Sequence, residues 1–481
     1  MGEENVREPL LQKKYYDNCP GCKVDKTKEL NPRLSITNLL IIWMVVISAA
    51  LPMSSLFPFL YFMIRDFHIA ETEANISSYA GYVGSAFMIG RTLTSVLWGI
   101  IADRYGRKPV LLIGVFSVVI FSTLFGLSTS FWMAVVTRFL LGSLCGLFGP
   151  VKAYASELFR EEHQSIGIST VSGAWAIGLI IGPALGGYLS QPVEKYPHIF
   201  LKGSLWDKFP YFLPCVIISG LAAIATIVCF WIPETLHNHK PKDEAKALEN
   251  EGGETNKDKK ITKSRNLLLN WPLMAAILAY SLATLHDIAF QEVFSLWAVS
   301  PSRLGGLDFT TNDVGNFLSI SGVALIIYQV SAYAFIEKAL GTMTTTRAAA
   351  VLSIPLAQSF PFIGKCHGSL LFILIGVASV LKMLMSMTIS TGLFLIQNRV
   401  VDQHQRGEAN GIAMTSMSLF TAVGPAAAGA VLSWSQKRID ASFLPGTHMV
   451  FFVLNLLTVL GIVFLVAFVR DKKKTNSDEQ N

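Results

Sequence analysis

Among the ionisable side chains of this 481-residue chain that stand inside long apolar stretches are Arg91, Arg138, Asp287, Glu292 and Lys382. Charge kept in such surroundings is costly and marks a path for ions or polar solutes. A carboxylate there can take up and release a proton, and a base can hold an anionic or zwitterionic guest. Asp287 falls seventeen residues past Asn270, roughly 25 Å along a helix rising ~1.5 Å per residue, and Gln291 shares its face. Proton coupling and neutralisation by a structural base are both open to Asp287, while Glu292 is expected to reach the outer interface. Arg91 stands twelve residues before Asp103, so ~18 Å from that end of its stretch. For Arg91, Arg138 and Lys382, substrate or coupling roles stand beside structural pairing.

Two further groups lie outside the apolar stretches. "GIIADRYGRK", Gly99 to Lys108, sets Asp103, Arg104, Arg107 and Lys108 between two of them. Bases in a short loop fix which side of a membrane it occupies. Gly99 and Gly106 admit close backbone approach and a sharp turn, and Asp103 offers a carboxylate to a helix amino terminus or a base. "CPGC", Cys19 to Cys22, has the spacing by which a thiolate pair holds zinc, and His237 and His239 of "LHNH" would complete four ligands. An unliganded tail or trafficking element is the other reading.

The elements that position these residues are membrane helices. Hydrophobic residues make up 52% of the chain and charged ones only 15%, too little charge to coat a soluble protein of this length. The apolar residues come in blocks of roughly 20, enough to cross ~30 Å of hydrocarbon, without the alternation of a barrel. Twelve spans are predicted, near 39–63, 78–101, 109–128, 131–155, 166–189, 210–232, 271–298, 314–336, 345–363, 369–397, 411–434 and 448–469. With the amino terminus in the cytosol, Arg104, Arg107, Lys108, Arg160, the lysine-rich 240–265 stretch and Lys472 to Lys474 fall inside, so both tails are expected to be cytosolic. The net charge of +6 suits a neighbour of anionic lipid and gives no argument for nucleic acid. No phosphate-binding loop or nucleophile–base signature appears, which argues against a pump or a membrane enzyme.

A polar, lysine- and glutamate-rich stretch from Ile232 to Lys260 reads as a flexible linker and divides the spans six and six. The expected layout is a tail over 1–38, a six-helix bundle over 39–232, a linker over 233–269, a second bundle over 270–469 and a tail over 470–481. The halves echo one another: "IIGPALGG" (Ile180 to Gly187) is answered by "AVGPAAAG" (Ala422 to Gly429), and "ADRYG" weakly by "EKALG". Two parallel repeats with a site between them are the build of a secondary transporter.

Gly99, Asp103, Arg104, Gly106, Arg107 and Lys108 resemble the G-x3-D-R-x-G-R-K signature of the major facilitator superfamily. Gly178, Gly182, Pro183, Gly186 and Gly187 resemble the G-x3-G-P-x2-G-G pattern of its antiporters. "CPGC", "WGIIADRYGRK", Ser169 nine residues before Gly178, and "PETLHNH" together resemble the plant zinc-induced facilitator-like transporters. The resemblance implies an all-α membrane protein of twelve helices in two six-helix bundles. It also implies proton-coupled export, by antiport, of a small organic solute such as nicotianamine or a phytosiderophore. A potassium/proton exchanger influencing auxin transport, and a metal sensor that does not transport, are the alternatives. The resemblance implies that Arg107 pairs with Glu157 of "YASELF" and so clasps the bundles on the cytosolic side when the protein faces outward. Pro183 and its glycines are expected to bend and close the cavity. Arg138 occupies the position of a family base tied to proton movement, although Leu141 and Gly142 depart from the family's Gln-Gly. The expected partners are lipid, protons and a small molecule, with no cofactor and a monomeric protein. The vacuolar membrane is favoured over the plasma membrane, because Glu4 before Leu10 and Leu11 resembles an acidic dileucine sorting signal.

Overall fold

The computed structural model describes residues 16, 19–30, 35–160, 163–237, 270–401 and 406–478. Glu4, Leu10, Leu11, His239 and the 240–265 stretch lie outside them. The described residues are mostly helical, with no strand among them. A tail helix α1 (Pro20–Leu30) comes first. The amino-terminal set then runs α2 (Ile36–Ser54), α3 (Leu60–Asp66), α4 (Glu73–Tyr105), α5 (Arg107–Gly126), α6 (Phe131–Leu144), α7 (Phe148–Leu158), α8 (Gln164–Leu189), α9 (Pro192–Lys195), α10 (Leu205–Lys208) and α11 (Phe212–Cys229). The carboxy-terminal set is α12 (Trp271–Val299), α13 (Thr311–Ser331), α14 (Tyr333–Leu340), α15 (Thr342–Ile363), α16 (Gly368–Val400), α17 (Arg406–Gln436) and α18 (His448–Asp478).

Helix starts follow local chemistry. Ser35, Ser130 and Asn270 each accept a backbone N–H from the first turn they precede, and Thr310 with Asp313 forms a reciprocal capping box. Pro52 lies in the last turn of α2, and the chain kinks through Ser55–Phe59 before α3, so the first expected span is a broken helix. The fourth is interrupted after Leu144, between α6 and α7. Among the described residues eleven helices are long and apolar enough to cross a membrane, α6 and α7 counting as one. The ninth expected span, α15, is a 22-residue helix outside that group, diluted by four threonines, Arg347 and Gln358.

The two sets meet along α4 with α17 and along α8 with α13. Within the carboxy-terminal set an aromatic cluster of Trp297, Phe294, Phe360 and Phe451 anchors α12 against α15 and α18. Such ring pairs add ~0.5–1.5 kcal/mol each beyond the area they bury. That packing holds the helix carrying Asp287 and Glu292 in one rotation.

Candidate functional site

A cavity of about 200 Å3 lies between α8, α12, α13 and α16. Asp287, Gln291 and Lys382 stand in its wall beside Ser386 and Ser390. The Ser386 hydroxyl donates to Asp287 Oδ1, and Ser390 donates to Oδ2 at 3.2 Å. Lys382 is 2% exposed, with its ammonium 5.0 Å from the centre of the Phe290 ring. A carboxylate, an ammonium and two hydroxyls on one wall, with Gln291, Ser321 and Ser379 also lining the cavity, can receive a zwitterion head to tail, or pass a proton to a solute's place. Ser386 and Ser390 were not singled out in the sequence. Their signal is the i, i+4, i+8 row Lys382–Ser386–Ser390, one polar stripe on an apolar helix.

The other intramembrane charges stand elsewhere. Glu292 was expected at the outer interface but is 2% exposed, its carboxylate lying against Gly84 of α4. The α17 chain at Pro425 crosses at the same glycine and shields it from solvent. Arg138 donates to the Pro52 carbonyl at 2.8 Å and lies over the Phe87 and Phe125 rings. It thereby caps the last turn of α2, whose carbonyls have no helical partner ahead of them. Arg91 sits 5.7 Å from the Trp175 ring in a separate small void bordered by Phe87 and Cys145. Of Arg91, Arg138 and Lys382, only Lys382 lines this cavity.

The cavity is shut at the end away from the tails. A Cβ on Gly187 would lie 2.6 Å from the Thr311 carbonyl, and one on Gly315 2.8 Å from the Pro183 carbonyl. The other repeat does the same: Gly429 abuts the Ser77 carbonyl and Gly81 the Pro425 carbonyl. Lys195 adds a bond from α9 to the Thr311 hydroxyl at 2.5 Å and also donates to the Gly187 carbonyl. Burial pulls its ammonium down to about 8, with the neighbouring Glu194 carboxylate opposing. Tyr188 donates to Asn316 at 2.6 Å, and Arg303 pairs with Glu73. Gly178, Gly182 and Gly186 point instead at α2, against Ala50, Ser54 and Ser55, so the antiporter-like motif serves two neighbours. Ser169 is exposed, a long way along α8 from these contacts.

At the tail end, Gly106 takes φ +113° between α4 and α5. Arg107 Nη2 lies 3.0 Å from Glu157, and Nη1 pairs with Asp103. Asp103 thus finds a base, and the helix amino terminus goes to another acid, Glu234. Its two oxygens accept from the backbone N–H of Arg107 and Lys108 at 2.9 and 3.0 Å. Sequence reading passed over Glu234, although it stands in "PETLHNH". Lys108 Nζ reaches the Phe230 carbonyl at 2.7 Å, and the Arg104 guanidinium lies by the Tyr105 ring. Gly99 was expected in close contact, yet nothing lies within 4 Å of where its Cβ would be. All these partners belong to the amino-terminal set, so the cluster joins α4, α5, α7 and the stretch after α11 without bridging the halves. Beside it, Cys19 and Cys22 converge on His237.

A helical membrane fold of two repeats closed at one end over a central charged cavity defines a secondary transporter. The chain belongs to the Major Facilitator Superfamily, whose family model matches residues 42–403, and within it to the zinc-induced facilitator-like group. It is 52% identical over 472 residues to "Protein ZINC INDUCED FACILITATOR 1" of Arabidopsis thaliana, covering 95% of this chain and 97% of that one. It is 53% identical over 464 residues to "Protein ZINC INDUCED FACILITATOR-LIKE 1" of the same organism, covering 96% and 97%. The fold is similar to that of a bacterial homologue of the human lysosomal transporter Spinster in an inward-facing and occupied conformation. There the TM-score is 0.66 at 12% identity, over 90% of this chain and 96% of that one. A D-xylose–proton symporter gives 0.64 at 14% identity, over 90% and 96%.

Proposed function

We propose that this protein is a proton-coupled antiporter that moves a small amino-carboxylate solute, of the metal-chelating class, by alternating access. The observation that carries the reading is the placement of Asp287 and Lys382 in one wall of the cavity between the halves, with Ser386 and Ser390 holding the carboxylate. Opposite charges at short range suit a zwitterion. A solute's ammonium would take the place of the proton on Asp287 while its carboxylate meets Lys382, so solute and proton compete for one site. That competition is the physical basis of exchange. The names of the two Arabidopsis relatives favour a metal-linked solute such as nicotianamine or a phytosiderophore.

In this reading twelve helices cross the membrane, both tails face the cytosol, and the structure is the cytosol-open state. The protein works as a monomer in the vacuolar membrane. Reconstituted vesicles test it: uptake of nicotianamine, a phytosiderophore and potassium is compared with and without a pH gradient. Uptake of a chelator that collapses with the gradient and is competed by the other chelator supports the reading. Gradient-independent uptake, or uptake of potassium alone, overturns it.

A further inference from the structure

Away from the transport path, three side chains from distant stretches meet at the tail end. Cys19 Sγ and Cys22 Sγ stand 3.7 and 3.8 Å from His237 Nδ1, and all three donor atoms lie within 4.8 Å of one another. One ring nitrogen faces both thiols, and Cys22 also hydrogen-bonds to Cys19 and to the Tyr16 backbone, so the three donors form one cluster. A tetrahedral zinc, with Zn–S of about 2.3 Å and Zn–N of about 2.0–2.1 Å, sets a sulfur–nitrogen edge of about 3.6 Å. The observed separations fall beside that edge.

The surroundings fit the same chemistry. Asp25 Oδ2 lies 3.5 Å from His237 Nε2, the place an outer carboxylate takes beside an imidazole that ligates through Nδ1. Gly21 N donates to the Leu236 carbonyl at 3.1 Å, and a Cβ on Gly21 would lie 2.8 Å from the His237 ring. The glycine of "CPGC" is what lets the two backbones approach. Helix α1 has only eleven residues and buries only Gly21, Cys22 and Val24. A helix that short is marginal in water unless something pins it, and a bound metal contributes its binding energy to folding.

The cluster is also wired to the loop after α4. Two residues before His237, the Thr235 hydroxyl donates to Glu157 Oε2 at 2.6 Å, and Glu157 is the acid that holds Arg107. Next to it, Glu234 caps α5.

We propose that Cys19, Cys22 and His237 bind a borderline-soft divalent cation, Zn2+ by donor chemistry, and that its occupancy clamps α1 onto the Arg107–Glu157 loop and so regulates transport. On binding, the two thiols give their protons to solvent as two metal–sulfur bonds form. The neutral imidazole adds the third ligand, water or an outside ligand the fourth, and no electron is transferred. Two sulfurs and a nitrogen discriminate against Mg2+ and Ca2+, which prefer oxygen. The site is separate from the central cavity and does not depend on which solute crosses.

The test uses the full chain in lipid nanodiscs under reductant, titrated with Co2+. The expected result is one equivalent bound with thiolate charge-transfer absorption and tetrahedral d–d bands, displaced by Zn2+. Cys19→Ser with Cys22→Ser should abolish the spectrum, and His237→Ala should weaken binding at least ~10-fold. Asp25→Asn should weaken it ~10- to 100-fold, as loss of an outer-shell partner does. Zn2+ should slow proteolysis at Lys23, Lys26 and Lys28 in the parent protein and not in the double serine variant. In vesicles Zn2+ should change the parent's transport rate, while the double serine variant keeps its basal rate and ignores Zn2+. Cobalt binding unchanged by the double substitution, or a Cys19–Cys22 disulfide persisting under reductant, overturns the site. Intact cobalt binding with unchanged proteolysis and transport overturns the clamp. Spectrum and proteolysis need no transport, so their failure is distinguishable from failure of the carrier reading.

Discussion

The Pro183 carbonyl of α8 rests against Gly315 of α13, and the repeat places the Pro425 carbonyl of α17 against Gly81 of α4. Gly187 with Thr311 and Gly429 with Ser77 complete the correspondence. Proline leaves the helix locally bent and glycine lets the partner backbone come in, so both crossings close by main-chain contact. Contacts made this closely are all-or-none, which suits a gate that must open fully.

Gly315→Leu should therefore open the gate. Overpacking costs ~1–3 kcal/mol, a ~5- to 150-fold shift toward the state open at the far end. Labelling of Ser386→Cys by an impermeant thiol reagent added from the far side should speed up accordingly. Unchanged labelling would show that the crossing is not the gate.

Removing the proton carrier is a second test. Asp287→Asn should leave the protein folded, since Ser386 and Ser390 can still bond an amide. Gradient-driven uptake should fall at least ~10-fold, because a residue that cannot ionise cannot exchange a proton. Solute counterflow at matched pH should persist, and loss of both would point to a structural role for Asp287.

At the loop after α4, Glu234→Ala removes the cap of α5 and should lower stability by ~1 kcal/mol, read as a fall in Tm. Asp103→Asn, whose partner Arg107 keeps Glu157, should leave stability and insertion nearly unchanged and slow transport. Gly99→Leu extends into open space here, so it should fold normally yet block closure of the tail end. An unimpaired rate in Gly99→Leu would contradict the closing motion.

Lys195 gives the far-end gate a pH dependence whose sign can be worked out. In the closed form its ammonium titrates at about 8, against ~10.4 for a solvated lysine. Between those values the open form binds more protons, so closure gains stability as pH rises and loses it as pH falls toward about 8. Lowering the far-side pH from ~10.4 to about 8 should speed opening in the parent protein, with no further change below about 8, measured by the same Ser386→Cys labelling. Lys195→Met should flatten that response.

Local chemistry in the sequence was enough to specify the helices, the charged loop and the paired Gly-Pro repeats. An apolar run near the length of a bilayer, a capping serine or a glycine after a charged turn acts within a few residues of itself. Which face of each helix meets a neighbour was decided only by the tertiary structure, because a helix apolar all round looks the same toward lipid and toward protein. Glu292 in the wall between α4 and α17, Arg138 turned onto α2 and Glu234 on the start of α5 all depend on partners far away in sequence. Chain order carries no trace of them, since each is fixed by how the helices pack and cross.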